Sequence, residues 1–324
     1  MPDPFVRPDV RAFLAYLNSM PGPKMHEMDA PAAREVYRAM KDLADPPVGA
    51  LAVIRDLAIP GPAGTIPARL FDPREHREPG TLVVYYHGGG FVIGDIDTHA
   101  SFCAEMARTL DLPVVSVDYR LAPEAPWPAA PDDCEAAARW LASAPDPLGR
   151  AVTGLVIAGD SAGGNLAIVA SAALRDAPAA APVIAHCPIY PATDASKPYP
   201  SYEEFADGFM LTKDSMDWFM AAYQGDPLHL RSSPLIGDLA GMPPAVVVTA
   251  SLDPIRDQGR AYAAALAQAG VPVVFREAKG MIHGFVNLRQ AIPSAYGDAA
   301  GLLAALKAVV TEAEGERAMA QAAA

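Results

Sequence analysis

The chain is poor in the features that mark secreted, membrane-spanning or nucleic-acid-binding proteins. Its three cysteines are an odd number and include no CxxC pair, which excludes an obvious disulfide framework and favours a reducing compartment. Acidic residues outnumber basic ones by 38 to 25, and the net charge of −13 disfavours nucleic acid and anionic membrane surfaces as partners.

Long apolar runs are also missing. None approaches the roughly 20 residues of a membrane-spanning helix, and the N-terminal segment lacks the basic start and apolar core of a signal peptide. We therefore expect a soluble cytoplasmic protein without integral membrane association.

The chain does contain a regular alternation of short apolar strands and helices. Two helices are predicted within residues 8–44 and a hairpin within residues 51–73, and strands and helices then alternate from residue 81 to residue 313. This order is typical of an α/β fold with a mostly parallel central sheet flanked by helices on both faces.

One stretch interrupts the alternation. Residues 191–240 are rich in loops, lie between two predicted strands and contain one clear helix. Four apolar side chains are predicted to share one face of that helix: Met216, Phe219, Met220 and Tyr223. This face either lines a lid or simply packs against the main domain. We expect the insertion and the helices of residues 1–48 to form a cap over a catalytic domain made of residues 49–190 and 241–324.

The stretch TGLVIAGDSAGGNLAIVASAAL, residues 153–174, combines a buried strand, a tight turn and a helix. Gly159, Ser161 and Gly163 form a G-x-S-x-G pattern at the turn. In this context the sharp turn presents the serine as a nucleophile, and crowding around it requires small neighbours. The alternative is that Ser161 merely caps the helix.

A serine hydroxyl needs a base to become a nucleophile, and the base needs an anion to orient it. The candidate base is His283, in KGMIHGF after the last predicted strand. The anion is Asp253 or Asp257, both in TASLDPIRDQG. Asp253 stands at the turn after a strand, whereas Asp257 falls in the next predicted helix, so we favour Asp253. The seven histidines show no metal-ligand spacing, and we predict neither a metal nor another cofactor.

The glycine loop in YYHGGGFVIGD follows another predicted strand. Gly88, Gly89 and Gly90 allow backbone N–H groups to turn toward a developing oxyanion, and Ala162, directly after the serine, supplies another N–H. A dinucleotide-binding unit is the alternative for a strand, a glycine loop and a helix. Its G-x-G-x-x-G pattern fails because it requires glycine where Ile93 stands.

Five motifs, in this order, resemble the hormone-sensitive-lipase family of α/β-hydrolase esterases, in the subgroup with a GDSAGG elbow. They are HGGGFVIGD, VDYRLAPEAPWPAAPDD, GDSAGGNLA, DPIRDQG and HGF. The resemblance implies an α/β-hydrolase fold with a helical cap and a serine carboxylesterase that acts through an acyl-enzyme. The expected lid and the lack of an interfacial anchor favour short-to-medium acyl esters as substrates.

The resemblance also implies roles for individual residues. The catalytic residues are Ser161 as nucleophile, Asp253 as orienting acid and His283 as base. The oxyanion hole consists of the amides of Gly88, Gly89 and Ala162. The supporting motif residues are His87, which fixes the glycine loop, with Gly90, Asp160 and Gly163.

Several alternatives stay open at this point. An amidase, a lactonase or a carbamate hydrolase uses the same machinery, and a non-catalytic ligand-binding module or a nicotinamide oxidoreductase is a more distant possibility. The expected partner is a small-molecule ester. The segment VPVVFREA reads as an edge strand, and pairing across such an edge would give a homodimer.

Overall fold

The computed structural model describes residues 4–322, and its centre is an eight-stranded sheet. The strands are β1 (Val53–Gly61), β2 (Gly64–Asp72), β3 (Gly80–Tyr86), β4 (Val114–Val117), β5 (Val152–Asp160), β6 (Val183–Ile189), β7 (Ala245–Leu252) and β8 (Val273–Ile282). Their spatial order is β1-β2-β4-β3-β5-β6-β7-β8. The pairs β1–β2 and β2–β4 are antiparallel and all other pairs are parallel, so the predicted mostly parallel sheet is confirmed.

Helices cover both faces of the sheet. They are α1 (Pro8–Ser19), α2 (Ala30–Ala44), α3 (Ile96–Leu110), α4 (Ala129–Ala142), α5 (Ala162–Asp176), α6 (Pro200–Glu204), α7 (Lys213–Tyr223), α8 (Arg256–Gln268) and α9 (Ala295–Ala322). Helices α3 and α9 share one apolar cluster with one face of the central strands, and α4 and α5 share another cluster with the opposite face. Helix α8 packs against β7 on the α5 side.

The central strands are mostly apolar because both of their faces are covered. In β5 every residue from Gly154 to Asp160 is buried. Alternating side chains of β7 enter different clusters, with Val246 facing α9 and Val247 facing α8. A continuous apolar run is therefore what a strand in the middle of a parallel sheet requires.

The segment VPVVFREA forms most of β8, which lies at the edge of the sheet as predicted. Val274 and Phe275 on this strand are exposed. Among residues 4–322, no helix combines the length and the apolar character that crossing a bilayer requires.

The insertion of residues 191–240 lies between β6 and β7, outside the sheet, and carries α6 and α7. Helix α7 buries Phe219 and Tyr223, whereas Met216 is partly buried and Met220 is exposed. The buried stripe runs at intervals of four residues through Ser215, Phe219 and Tyr223, which moves Met220 to the outer side. The division into cap and catalytic domain stays a prediction.

Candidate active site

Ser161 occupies the turn between β5 and α5 in a backbone conformation that side-chain-bearing residues rarely adopt. Its φ is 55° and its ψ is −118°. A side chain on Gly159 would collide with the backbone of Gly163, and one on Gly163 would collide with the carbonyl oxygen of Tyr86. The two glycines are therefore required by the tight approach of β3, β5 and α5, which is the local geometry of a nucleophile elbow.

The Ser161 side chain does not cap α5. Its hydroxyl lies 2.8 Å from Nε2 of His283, and Nδ1 of the same ring lies 2.7 Å from Oδ2 of Asp253. A neutral imidazole with its proton on Nδ1 satisfies both contacts, because it donates to the carboxylate and accepts the serine proton. The capping interpretation of Ser161 is thus not supported.

These three side chains come from the carboxyl ends of three parallel strands. Ser161 follows β5, Asp253 follows β7 and His283 follows β8. Asp253 is fully buried and its second oxygen accepts a hydrogen bond from the N–H of Ile255 at 2.9 Å. One oxygen of the carboxylate is therefore held by a backbone hydrogen bond while the other oxygen contacts the imidazole.

The competing carboxylate, Asp257, does not contact His283. It lies in the first turn of α8, where it accepts hydrogen bonds from Arg256 Nε at 2.8 Å and from the N–H of Ser201 at 3.1 Å. Arg260 adds a third contact at 3.2 Å. Asp257 thus joins α8 to the start of α6.

The glycine loop lies beside the elbow, but one of its expected oxyanion donors is occupied. The N–H of Gly88 donates to Oδ1 of Asp160 at 2.8 Å, which contradicts the expected place of Gly88 in the oxyanion hole. Within residues 4–322, the amides of Gly89, Gly90 and Ala162 donate no hydrogen bond. Gly89 and Gly90 have φ of 121° and 59°, which are backbone conformations that favour glycine, so the path of the loop depends on these two residues.

Asp160 is a buried carboxylate behind this loop. Besides Gly88, it accepts hydrogen bonds from the Tyr85 hydroxyl at 2.8 Å and the Tyr190 hydroxyl at 3.3 Å, and Nε2 of His99 lies 3.4 Å away. Burial by itself would raise the pKa of Asp160, but the adjacent His99 and the hydrogen-bond donors hold the pKa below its ordinary value. Asp160 is therefore ionised and fixes the start of the glycine loop.

Sequence reasoning missed His99, Tyr85 and Tyr190. They lie on α3, on β3 and just after β6, and no local pattern relates them to the elbow. A lone histidine in the first turn of a helix and tyrosines beside apolar strands read as ordinary core residues. Only the fold brings their polar atoms onto one carboxylate.

His87 supports the loop from the other side, as the family resemblance implies. Its Nδ1 donates to the carbonyl oxygen of Gly88 at 2.8 Å, and its ring stacks on Tyr119 with centroids 4.4 Å apart. Burial, together with the nearby His99, lowers the pKa of His87 to about 4. The ring is consequently neutral at pH 7 and acts as a hydrogen-bond donor to the loop rather than as a charge.

The insertion packs against the glycine loop through α7. The ring of Phe219 rests on Gly90, where any side chain would collide with it, and Tyr223 stacks on Phe91 with centroids 3.8 Å apart. Phe219 and Phe91 are almost completely buried. The predicted aromatic face of α7 thus contacts the glycine loop directly.

A serine at the turn after a central parallel strand, a histidine after a later strand and free backbone amides beside the serine define an α/β-hydrolase. Comparisons with known proteins agree. A family model described as alpha/beta hydrolase fold matches residues 83–287. The carboxylic ester hydrolase LipN of Mycobacterium tuberculosis is 42% identical over 268 residues, which span 79% of this chain and 70% of that protein.

Two further relatives cover most of the chain. An ethyl acetate hydrolase of Pseudomonas putida is 37% identical over 279 residues, 84% of this chain and 87% of that protein. The structure of a hyperthermophilic esterase from the archaeon Pyrobaculum calidifontis is 38% identical, with a TM-score of 0.87 over 94% of this chain and 99% of that one. The chain belongs to the α/β-hydrolase fold family, in its hormone-sensitive-lipase group of esterases.

Proposed function

We propose that this chain is a serine carboxylesterase that hydrolyses short-to-medium acyl esters of small molecules. The observation that carries the proposal is the continuous contact from Asp253 through His283 to the Ser161 hydroxyl, at 2.7 and 2.8 Å. The names of the curated relatives support ester hydrolysis over amide, lactone or carbamate hydrolysis.

The mechanism follows from the positions of these atoms. His283 Nε2 takes the Ser161 proton as the oxygen attacks the ester carbonyl, and Asp253 stabilises the resulting imidazolium. The developing oxyanion receives hydrogen bonds from the amides of Gly89, Gly90 and Ala162. His283 then protonates the leaving alkoxide, and water activated by the same ring releases the acid from Ser161.

Gly88 contributes to this mechanism indirectly. Because its N–H is bonded to Asp160, it holds the loop in register while the next two amides point at the oxyanion. The proposal therefore assigns Gly90, which the resemblance gave only a supporting role, as a hydrogen-bond donor of the oxyanion hole. No step in this sequence requires a cofactor.

Two further parts of the proposal concern the cellular location and the oligomeric state of the protein. The odd cysteine count without a CxxC pair supports a cytoplasmic location. The exposed side chains of Val274 and Phe275 on the edge strand β8 support a homodimer formed across that edge. The mass of the protein in solution tests the dimer.

Replacement of the nucleophile tests the proposed reaction. Ser161→Ala should lower kcat on p-nitrophenyl butyrate by about 10⁶-fold, the scale seen when the nucleophile of another triad hydrolase is removed. An organophosphate should label the wild-type protein on Ser161 and leave the variant unlabelled. Ser143→Ala, at an exposed serine after α4, is the matched control.

Two results would contradict the proposal. One is a Ser161→Ala variant that hydrolyses the ester at the wild-type rate. The other is a substrate panel in which amides, lactones or carbamates are turned over well and no simple ester is, which would assign the same machinery to another reaction.

A further inference from the structure

The insertion contains a strained turn close to the proposed base. Leu211 donates its N–H to the carbonyl oxygen of Phe209 at 3.0 Å, and the residue between them, Met210, has a φ of 70°. A three-residue turn with positive φ at its centre is the rare and strained form of the γ-turn. A positive φ is uncommon for residues other than glycine, asparagine and aspartate.

The neighbouring residues explain how the strain is held. Phe209 packs edge-on against the buried Phe205, with centroids 5.2 Å apart. Leu211 packs on the opposite apolar cluster, which includes Phe219. The N–H of Lys213 closes the loop on the carbonyl oxygen of Ala206 at 2.8 Å. Since both flanking side chains are fixed in different clusters, the residue between them is forced into the turn.

The turn directs Met210 toward the catalytic histidine. A Cβ built on Gly284, the residue after His283, would lie 3.0 Å from Cε of Met210. The thioether methyl therefore rests against the backbone that carries the imidazole. Met210 is partly buried and packs against the apolar cluster that includes Phe285, two residues after His283.

The chemistry of the proposed reaction tells which part of an ester lies here. His283 delivers its proton to the leaving alkoxide, so the alcohol portion lies on the imidazole side of Ser161. The carbonyl oxygen instead points at the glycine loop. We propose that Met210 limits the size of the alcohol portion and so makes the enzyme select esters of small, unbranched alcohols over esters of bulky ones.

This inference rests on the proposed function, and two ester series test it. One series varies the alcohol at constant acetate, from ethyl to butyl to cyclohexyl, and the other varies the acid at constant ethyl. The value of kcat/KM reports the acylation step, in which the alcohol leaves. Active sites are counted with an organophosphate so that rates refer to functional enzyme.

Met210→Ala should raise the cyclohexyl-to-ethyl ratio of kcat/KM about tenfold, the scale by which pocket size discriminates between substrates. The ratios within the acyl series should change by less than about twofold. Met210→Gly should give the same shift and stay folded, because glycine adopts the positive φ without strain. Met210→Leu should retain the wild-type ratios, since it restores similar bulk. Met319→Ala, at an exposed methionine of α9, is the control.

The outcomes separate the two claims. If the wild-type enzyme hydrolyses these esters but the alcohol ratio does not move in either small variant, or the acyl ratio moves instead, the assignment of Met210 is overturned. If the wild type hydrolyses none of the esters and the organophosphate does not label Ser161, the proposed function itself fails, and the inference about Met210 fails with it.

Discussion

Asp160 connects the hydrogen-bonding network of the core to the proposed oxyanion hole, and its replacement should affect stability and rate separately. Asp160→Ala removes the acceptor from three buried donors, of which the N–H of Gly88 and the hydroxyl of Tyr85 make the two short bonds, both at 2.8 Å. A buried donor left without a partner costs about 1–3 kcal/mol. The loss of the two short bonds alone should therefore lower the free energy of unfolding by about 2–6 kcal/mol.

Asp160→Asn should be milder, because its amide oxygen can still accept from Gly88 and Tyr85. Hydrogen bonds to a neutral acceptor are weaker than those to a charged one by about 1 kcal/mol each, so two such bonds predict a loss of about 2 kcal/mol. The carboxylate that faces His99 at 3.4 Å is also neutralised in this variant. Urea unfolding at pH 7 measures both losses.

The effect on catalysis follows from the loop. Loss of one oxyanion donor in a known hydrolase costs about 10²–10³ in kcat. Release of the loop from Asp160 should therefore lower kcat by nearly that factor in Asp160→Ala, whereas the loss of kcat in Asp160→Asn should stay within about tenfold. KM should change by less than about threefold, because the oxyanion contact is made only in the transition state.

The rates are compared at a temperature where each variant is folded by circular dichroism, and Asp42→Asn on the exposed face of α2 serves as the control. A folded Asp160→Ala enzyme with wild-type kcat would refute the argument that Asp160 positions the oxyanion donors. A rise in KM with unchanged kcat would instead assign Asp160 to substrate binding.

Three further predictions follow from other contacts. Asp253→Asn should lower kcat by about 10⁴-fold in the ester assay, because the histidine then adopts the wrong tautomer, as in another triad hydrolase. Asp257→Asn should keep most of the activity in the same assay. Equal losses in the two variants would contradict the choice of Asp253. Burial lowers the pKa of His186 to about 4, so between pH 6.5 and 4 the unfolded chain binds a proton that the folded protein does not. As the pH falls over that range, His186 alone should therefore lower the free energy of unfolding by about 3 kcal/mol, and urea titrations of His186→Gln should show a shallower dependence of stability on pH. Gly163→Ala should prevent the elbow from forming, because its Cβ would collide with the backbone of β3. Gly315 lies in α9 with open space around it, so Gly315→Ala should raise the free energy of unfolding by about 0.5–1 kcal/mol, measured by thermal unfolding.

Local signals explain why much of the fold could be predicted. The apolar runs of β3 and β5, the turn glycines and the helical periodicity of α5 each act over a few residues, and each of these elements forms near its predicted place. The sequence could not tell which side chains of α7 are buried, because the direction of a short amphipathic helix depends on what it covers. That surface is the glycine loop, more than a hundred residues earlier in the chain.

In the candidate site, too, local signals could be predicted and contacts between remote segments could not. Ser161, Asp253 and His283 could be selected because each follows a strand, and parallel strands bring their carboxyl ends to one edge of the sheet. The choice of Gly88 as an oxyanion donor failed because the availability of an amide depends on its partner. That partner is Asp160, which reaches it only across the β3–β5 pair.

The amino-acid sequence by itself determined the elements, their order and the three side chains of the proposed catalytic chain, since these depend on spacing along the backbone. The tertiary structure alone decided which glycine amides are free and where Met210 lies. Those properties depend on distances of about 3 Å between atoms from remote segments, and only the packed fold sets distances of that kind.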